Sequence, residues 1–240
     1  MWGLCKKELI QFFSSLSGYI AIAVFLIVNG LALFVFEDNI LDFGYASLDR
    51  FFELSPWILL LLIPAITMRS FAEEFRTGTY EVLFTQSLTH AQIVGGKYLG
   101  ALIVVLIALF PTFLYAFTME TLAADQGIDR GATLGSYAGL FLLSAVFTAI
   151  GIWCSSLTSN TVVAFLLALL SSALFYYGFS AVSQLSFVST GIDYWIEWLG
   201  IDFHYRSISR GLVEFSDLLY FISLLALLFL FTLRNLQQRS

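Results

Sequence analysis

Residues 99–119 read Leu99-Gly-Ala-Leu-Ile-Val-Val-Leu-Ile-Ala-Leu-Phe-Pro-Thr-Phe-Leu-Tyr-Ala-Phe-Thr-Met119. No side chain in this stretch carries a charge. At 1.5 Å of helical rise per residue it is long enough to cross a hydrocarbon core about 30 Å thick. Working outward, comparable apolar runs occupy 17–36, 135–157, 161–179 and 216–233. A shorter run at 55–68 gains length from Phe51, Phe52 and Leu54. Composition agrees: 59% of the 240 residues are hydrophobic and 12% are charged, against about 25% charged in an ordinary globular chain. Mean hydropathy is +0.88. The expected fold is an all-α integral membrane protein with six transmembrane helices. No internal repeat or linker divides the chain, so 1–240 reads as a single transmembrane domain.

Pro56 and Pro64 fall in the second run and Pro111 in the third. Proline is tolerated within a span because neighbouring helices can satisfy the carbonyls it frees. The charged side chains can be placed outside the spans, where they escape the roughly 2.5–3.5 kcal/mol cost of a charge at a helix centre. Ion-coupled carriers keep ionisable groups inside the membrane, so energy for any transport is expected from outside the bilayer.

Loop charges set the orientation. One side carries Lys6, Lys7, Arg69, Arg76, Lys97, Arg234 and Arg239 against Glu8, Glu73, Glu74 and Glu81. The other has Arg50, Arg130, Arg206 and Arg210 against the remaining acids, including Glu37, Asp38, Asp42, Glu120, Asp125 and Asp129. The positive-inside rule then puts both termini of a multi-pass protein in the cytoplasm. Lys6 and Lys7 could open a signal peptide, but the following run is too long for its apolar core and has no clear cleavage site.

Residues 2–16 are amphipathic. Trp2, Cys5, Leu9, Phe12, Phe13 and Leu16 share a face opposite Lys7, Glu8 and Gln11, which predicts an N-terminal interfacial helix lying on the cytoplasmic leaflet. The loop from Arg69 to Tyr98 is long for a connection between adjacent spans. Phe71 and Phe75 share one helical face, Glu73, Glu74 and Arg76 turn away from it, Gly78 interrupts, and Thr79 can cap a second short helix with Glu81, Val82 and Leu83. A compact helix with exposed carboxylates suits docking to a soluble partner. The plainer alternative is a solvated connection.

The string Phe71-Ala-Glu-Glu-Phe-Arg-Thr-Gly-Thr-Tyr-Glu-Val-Leu, followed by Ile93-Val-Gly-Gly-Lys97-Tyr, resembles the intracellular loop of ABC-2-type permeases. The resemblance runs over the whole chain, from Lys6-Lys7-Glu8-Leu9 to the last span. Gly211-Leu-Val-Glu-Phe-Ser-Asp217-Leu-Leu-Tyr220 is most similar to the permeases associated with gliding motility, and also to the permease of nitrous-oxide reductase maturation. Two prolines common among related permeases, near Ser17-Gly18 and at Ser87, are missing here. The resemblance implies a cytoplasmic coupling helix between spans 2 and 3, with Glu73, Glu74, Gly78, Thr79 and Glu81 at an interface with an ABC ATPase subunit. It further implies a second permease subunit, the same chain or a related one, and export, or extraction of a lipid-like or peptide cargo, in motility or secretion. ATP and magnesium would bind the ATPase subunit, and this chain would bind no cofactor of its own.

The alternatives are a non-transporting scaffold of a motility or secretion machine and a six-span intramembrane protease. Gly95-Gly96-Lys97 lacks the spacing of a phosphate-cradling loop, so ATP hydrolysis is not expected here. Neither G-x-S-x-G nor HExxH occurs, and no buried Ser/His pair is foreseen. Cys5, Cys154, His90 and His204 lie too far apart in sequence to indicate a disulfide or metal site. The partners expected are proteins and membrane lipids, with no nucleic acid. Between residues 180 and 217, Tyr194, Trp195, Trp198, Phe203 and Tyr205 alternate with charged residues. Such a pattern fits either an aromatic belt or short helices dipping back into the membrane. Gly135 and Gly139 permit a close helix approach without identifying the partner.

Overall fold

The computed structural model describes residues 1–36, 47–81, 88–123, 128–184, 191–212 and 214–239. They are helical throughout, without strands among the described residues. Five helices are long and apolar enough to cross a membrane, and a bent pair, Trp2–Phe13 with Gly18–Phe34, makes a sixth if taken as one span. In chain order the elements are α1 (Trp2–Phe13), α2 (Leu16–Phe34), α3 (Asp49–Thr67), α4 (Ala72–Thr77), α5 (His90–Leu109), α6 (Phe113–Leu122) and α7 (Arg130–Leu157). They continue as α8 (Thr161–Ala173), α9 (Phe179–Ser183), α10 (Ile192–Trp198), α11 (Ile201–Ser209) and α12 (Phe215–Gln237).

The bend between the first two helices is 74°, which separates α1 from the spanning direction as its amphipathic pattern predicts. What the pattern does not tell is that α1 packs on protein. Its seat is a glycine track on α5. A Cβ added to Gly96 would lie 2.9 Å from Leu4 Cβ, and one on Gly100 2.8 Å from Glu8 Cβ.

α7 forms the centre of the bundle and is the most buried of the spans. Helices α3, α5, α8, α11 and α12 all pack against it. The tightest approach is at Gly151, where a Cβ would meet Thr67 Oγ1 of α3 at 2.1 Å. Gly139 gives the other close approach, with Ile208 Cγ2 of α11 at 2.9 Å from a Cβ there. The Gly135/Gly139 pair is therefore the seat of α11.

The aromatic stretch before the last span divides in two. α10 leaves Tyr194 and Trp195 exposed, as a belt would. α11 buries Ile201, Tyr205 and Ile208 in the main core. Its Tyr205 hydroxyl donates to the carbonyl of Phe52 at 2.7 Å. Pro56, four residues on, has no N–H to offer that carbonyl, so the hydroxyl of another helix replaces the lost bond.

The second span gains its length as expected, because α3 runs from Asp49 to Thr67 and takes in Phe51, Phe52 and Leu54. One expectation changes: not all charges lie outside the spanning helices. Lys97 is fully buried in α5, and Asp217, in the first turn of α12, is 3% exposed. Each is paired within the chain, Lys97 with Glu8 and Glu74 and Asp217 with His204.

Candidate functional site

Both chain ends and the α3–α5 connection converge on α4. The start of this six-residue helix is set by a serine from elsewhere. The Ser155 hydroxyl of α7 accepts from the N–H groups of Phe71 (3.0 Å) and Ala72 (3.1 Å) and donates to the carbonyl of Met68 (3.1 Å). The first N–H groups of a helix have no partner inside it, and no side chain of its own caps α4.

Aromatic packing holds its inner face. Phe71 is fully buried and stacks on Phe75 at 6.0 Å, and Tyr80 contacts both rings edge-on. The Arg239 guanidinium, beyond the end of α12, lies 4.6 Å over the Phe75 ring and donates to the carbonyl of Leu157. Burial first, then the Glu74 carboxylate, pushes the Tyr80 phenol up to about 12, against the lowering effect of Arg239. The phenol therefore stays protonated at neutral pH.

A charge cluster ties α4 to the two helices beside it. Lys97 Nζ donates to Glu8 Oε1 at 2.7 Å and to the carbonyl of Ser70 at 2.6 Å, and pairs with Glu74 Oε2 at 3.0 Å. Two of these contacts are hydrogen bonds, and the third, to Glu74 Oε2, is an ion pair in which that oxygen accepts no hydrogen bond. The Phe71 ring lies 5.0 Å from the same nitrogen. Glu74 uses its other oxygen for Lys7 Nζ at 2.8 Å. A buried charge is tolerated when it is paired and hydrogen-bonded, and this cluster meets both conditions.

The sequence places Glu73, Glu74, Gly78, Thr79 and Glu81 on one exposed surface. The structure brings them together but assigns them to two sides. Glu74 is only 7% exposed, and its carboxylate is committed within the chain because buried Lys97 needs counter-charge. Glu73 stays partly exposed, with Arg76 at 3.7 Å. Gly78 ends α4 in the left-handed conformation at φ +69°, which favours glycine. It lets Thr79 N–H reach the carbonyl of Glu74 at 3.1 Å. Gly78, Thr79 and Glu81 are exposed, and helical backbone resumes at Tyr80 as a cap at Thr79 requires. Val82, Leu83 and Ser87 lie outside the described residues.

Sequence reasoning missed Lys7, Glu8, Lys97 and Ser155 as members of this site. The signal was partial. Lys7-Glu8 and Gly95-Gly96-Lys97 stand out in the sequence, but a lysine beside an apolar run reads as an interfacial anchor. A serine inside a spanning helix carries no signal.

A second buried pair lies at the other end of α12. His204 Nδ1 is 2.7 Å from Asp217 Oδ1, and Nε2 is 2.9 Å from the carbonyl of Trp198. A carbonyl only accepts, so Nε2 carries a proton. The Tyr220 ring stacks on the imidazole at 4.0 Å. Tyr220 donates to the carbonyl of Leu199 at 2.7 Å. This network fastens α10 and α11 to the last span. Among the described residues no cluster of His, Cys, Asp or Glu could hold a metal ion.

The short helix α4 is gripped from α1, α5, α7 and the end of α12, with one edge left open. A family model described as "ABC-2 family transporter protein" matches residues 2–232. No curated protein matches the chain.

Proposed function

The chain belongs to the ABC-2 transporter family, whose members supply the membrane-spanning part of an ABC transporter and work with a separate ATPase subunit, and from that premise we propose that it is an export permease driven through α4. In this reading the α4 end faces the cytoplasm of a bacterial inner membrane. Two such permeases, identical or related, join two ATPase subunits that bind ATP and magnesium. Glu73, Gly78, Thr79 and Glu81 form the docking edge, and Glu74 anchors that edge from behind. The observation that supports this most is the clamp itself. A solvated connection has no use for a fully buried lysine held by two carboxylates and a carbonyl, whereas a lever that must transmit force has to be fixed to what it moves.

The cargo reading, a lipid-like or peptide substance, and the link to motility or secretion rest on the resemblance around Gly211 and Tyr220. A non-transporting scaffold would share the fold. Cargo-stimulated ATP hydrolysis by the reconstituted complex separates the two.

The test of the docking edge is co-purification of the ATPase with Glu81→Ala and Glu81→Lys. An exposed charge that meets only water contributes about 0–1 kcal/mol, while one docked against a basic partner costs roughly 2–5 kcal/mol when truncated. The expected result is normal membrane abundance with weakened ATPase recruitment. Unchanged recruitment and hydrolysis in both variants would reduce the segment to a plain connection.

A further inference from the structure

At the end of the bundle opposite α4, a cavity of about 940 Å³ opens between α3, the start of α7, the helical turn Leu174–Gly178 that joins α8 to α9, and α11. Its size is in the range of ligand sites, roughly 300–1,000 Å³. Apolar spans lead to it, yet its lining carries both signs of charge. Three of these charges have assigned partners. Asp202 pairs with Arg206, and Asp129 accepts from the N–H groups of Gly131 and Ala132 at the start of α7.

Three others do not. Among the described residues, neither the Asp49 and Glu53 carboxylates nor the Arg210 guanidinium has an ion-pair partner, although all three line the cavity. Glu53 and Trp57 lie four residues apart on α3, and so on one face. Trp57 packs against Tyr176 at 5.8 Å and Tyr177 at 5.6 Å, and all three rings line the same cavity. A carboxylate beside a group of aromatic rings is the chemistry that holds an organic ammonium ion, through its charge and through the faces of the rings. A free guanidinium on the wall from α11 is the chemistry that holds a phosphate.

We propose that this cavity binds a headgroup carrying an ammonium and a phosphate together, with Glu53, Trp57 and Tyr177 receiving the ammonium and Arg210 the phosphate. An acidic pocket for a simple cation would have no use for Arg210. A phosphate site would not place Glu53 and Asp49 on its wall. Only a ligand with both charges satisfies both walls. The site holds its ligand whether or not the chain transports it, so it does not depend on the partnership with an ATPase.

The full chain, purified in a detergent without phosphate, is titrated with dihexanoyl phosphatidylethanolamine, dihexanoyl phosphatidylglycerol and soluble phosphoethanolamine, and binding is read by microscale thermophoresis. The ethanolamine lipid should bind roughly tenfold or more tighter than the glycerol lipid, the size expected for one charge-assisted contact. Glu53→Gln should abolish that preference and spare glycerol-lipid binding, while Arg210→Gln weakens both lipids. Both side chains are exposed to the cavity, so the variants should fold, and an unchanged melting midpoint checks this. Binding of phosphoethanolamine as tight as that of the lipid makes the ligand a free zwitterion. Binding of the lipid alone makes it a membrane amphiphile. Either outcome upholds the site. Equal binding of the two lipids, or a preference that survives Glu53→Gln in a folded protein, overturns it. ATPase co-purification is unaffected in either case, so this inference and the transport reading fail separately.

Discussion

Replacing Lys97 with methionine should release α1 and α4 from the bundle. The residue is fully buried, and its ammonium faces Glu8, Glu74 and the carbonyl of Ser70. Methionine fills a similar volume, so the cavity term is small and the electrostatic term dominates. Glu74, with a side chain 9% exposed, would keep only Lys7, which is 49% exposed. An exposed partner compensates by about 0–1 kcal/mol, whereas breaking a buried pair from one side costs about 3–5 kcal/mol. Lys97→Met should therefore destabilise by several kcal/mol. For a chain of this length the corresponding fall in melting midpoint is roughly 6–20 °C on soluble-protein scaling. Size-exclusion chromatography of the detergent-solubilised protein after a temperature series would measure it. Glu74→Gln should be similarly damaging, and combining it with Lys97→Met should cost less than the two losses added, because the second change removes a charge already stranded. Arg76→Ala, which removes the exposed partner of Glu73, is the control and should shift the midpoint by little. If Lys97→Met melts with the parent protein, or the double variant shows full additivity, Lys97 is not the tie described above.

Gly96→Val should displace α1, since its first added carbon meets Leu4 Cβ at 2.9 Å and the carbonyl of Met1 at 3.1 Å. Faster proteolysis within residues 2–13, with the spans intact, would register it. Tyr205→Phe leaves the Phe52 carbonyl without its donor, at a cost of about 1–3 kcal/mol. In a Pro56→Ala background, where an N–H returns to the helix, the same change should cost measurably less in melting midpoint. Single cysteines at Thr79 and Glu197, in a chain lacking Cys5 and Cys154, should behave oppositely toward an impermeant maleimide in spheroplasts. Labelling at Glu197 and protection at Thr79 are expected, and the reverse pattern would invert the topology.

The spans were legible because their signal is one-dimensional. A run such as 99–119 needs only length and the absence of charge to be read. The break after α1 was legible too, as a change from an amphipathic to a uniformly apolar pattern. The partners of the polar groups were not. Lys97 and Glu8 are separated by 89 residues, and Ser155 and Phe71 by 84, so no local spacing joins them. The same reason hid the inward turn of Glu74. On a helical wheel it is as polar as Glu73, and only the position of a buried cation distinguishes them. Asp217 and His204 escaped notice in another way. Each sits among polar residues at the rim of a span, where water is the simplest partner to assume.

The glycines show how these separate facts belong to one design. Gly96 and Gly100 bring α1 against α5, Gly151 brings α3 against α7, and Gly139 brings α11 against α7. At each place a missing side chain shortens the distance between helices until backbone and short side chains touch. Interhelical attraction in lipid comes from such packing and from hydrogen bonds, since burying apolar surface gains little there. The polar ties then fall at the ends of the same helices. Ser155 lies one helical turn beyond Gly151, and the Ser136 hydroxyl, near Gly139, donates to the carbonyl of Ser209 at 2.7 Å. α7 is thus held against α4 at one end and against α11 at the other. It is a continuous helix of 28 residues without an internal proline, one of the commonest causes of a sharp kink. A displacement imposed on α4 therefore has a continuous element to act upon, and the far end of that element forms one wall of the cavity that contains Glu53 and Arg210.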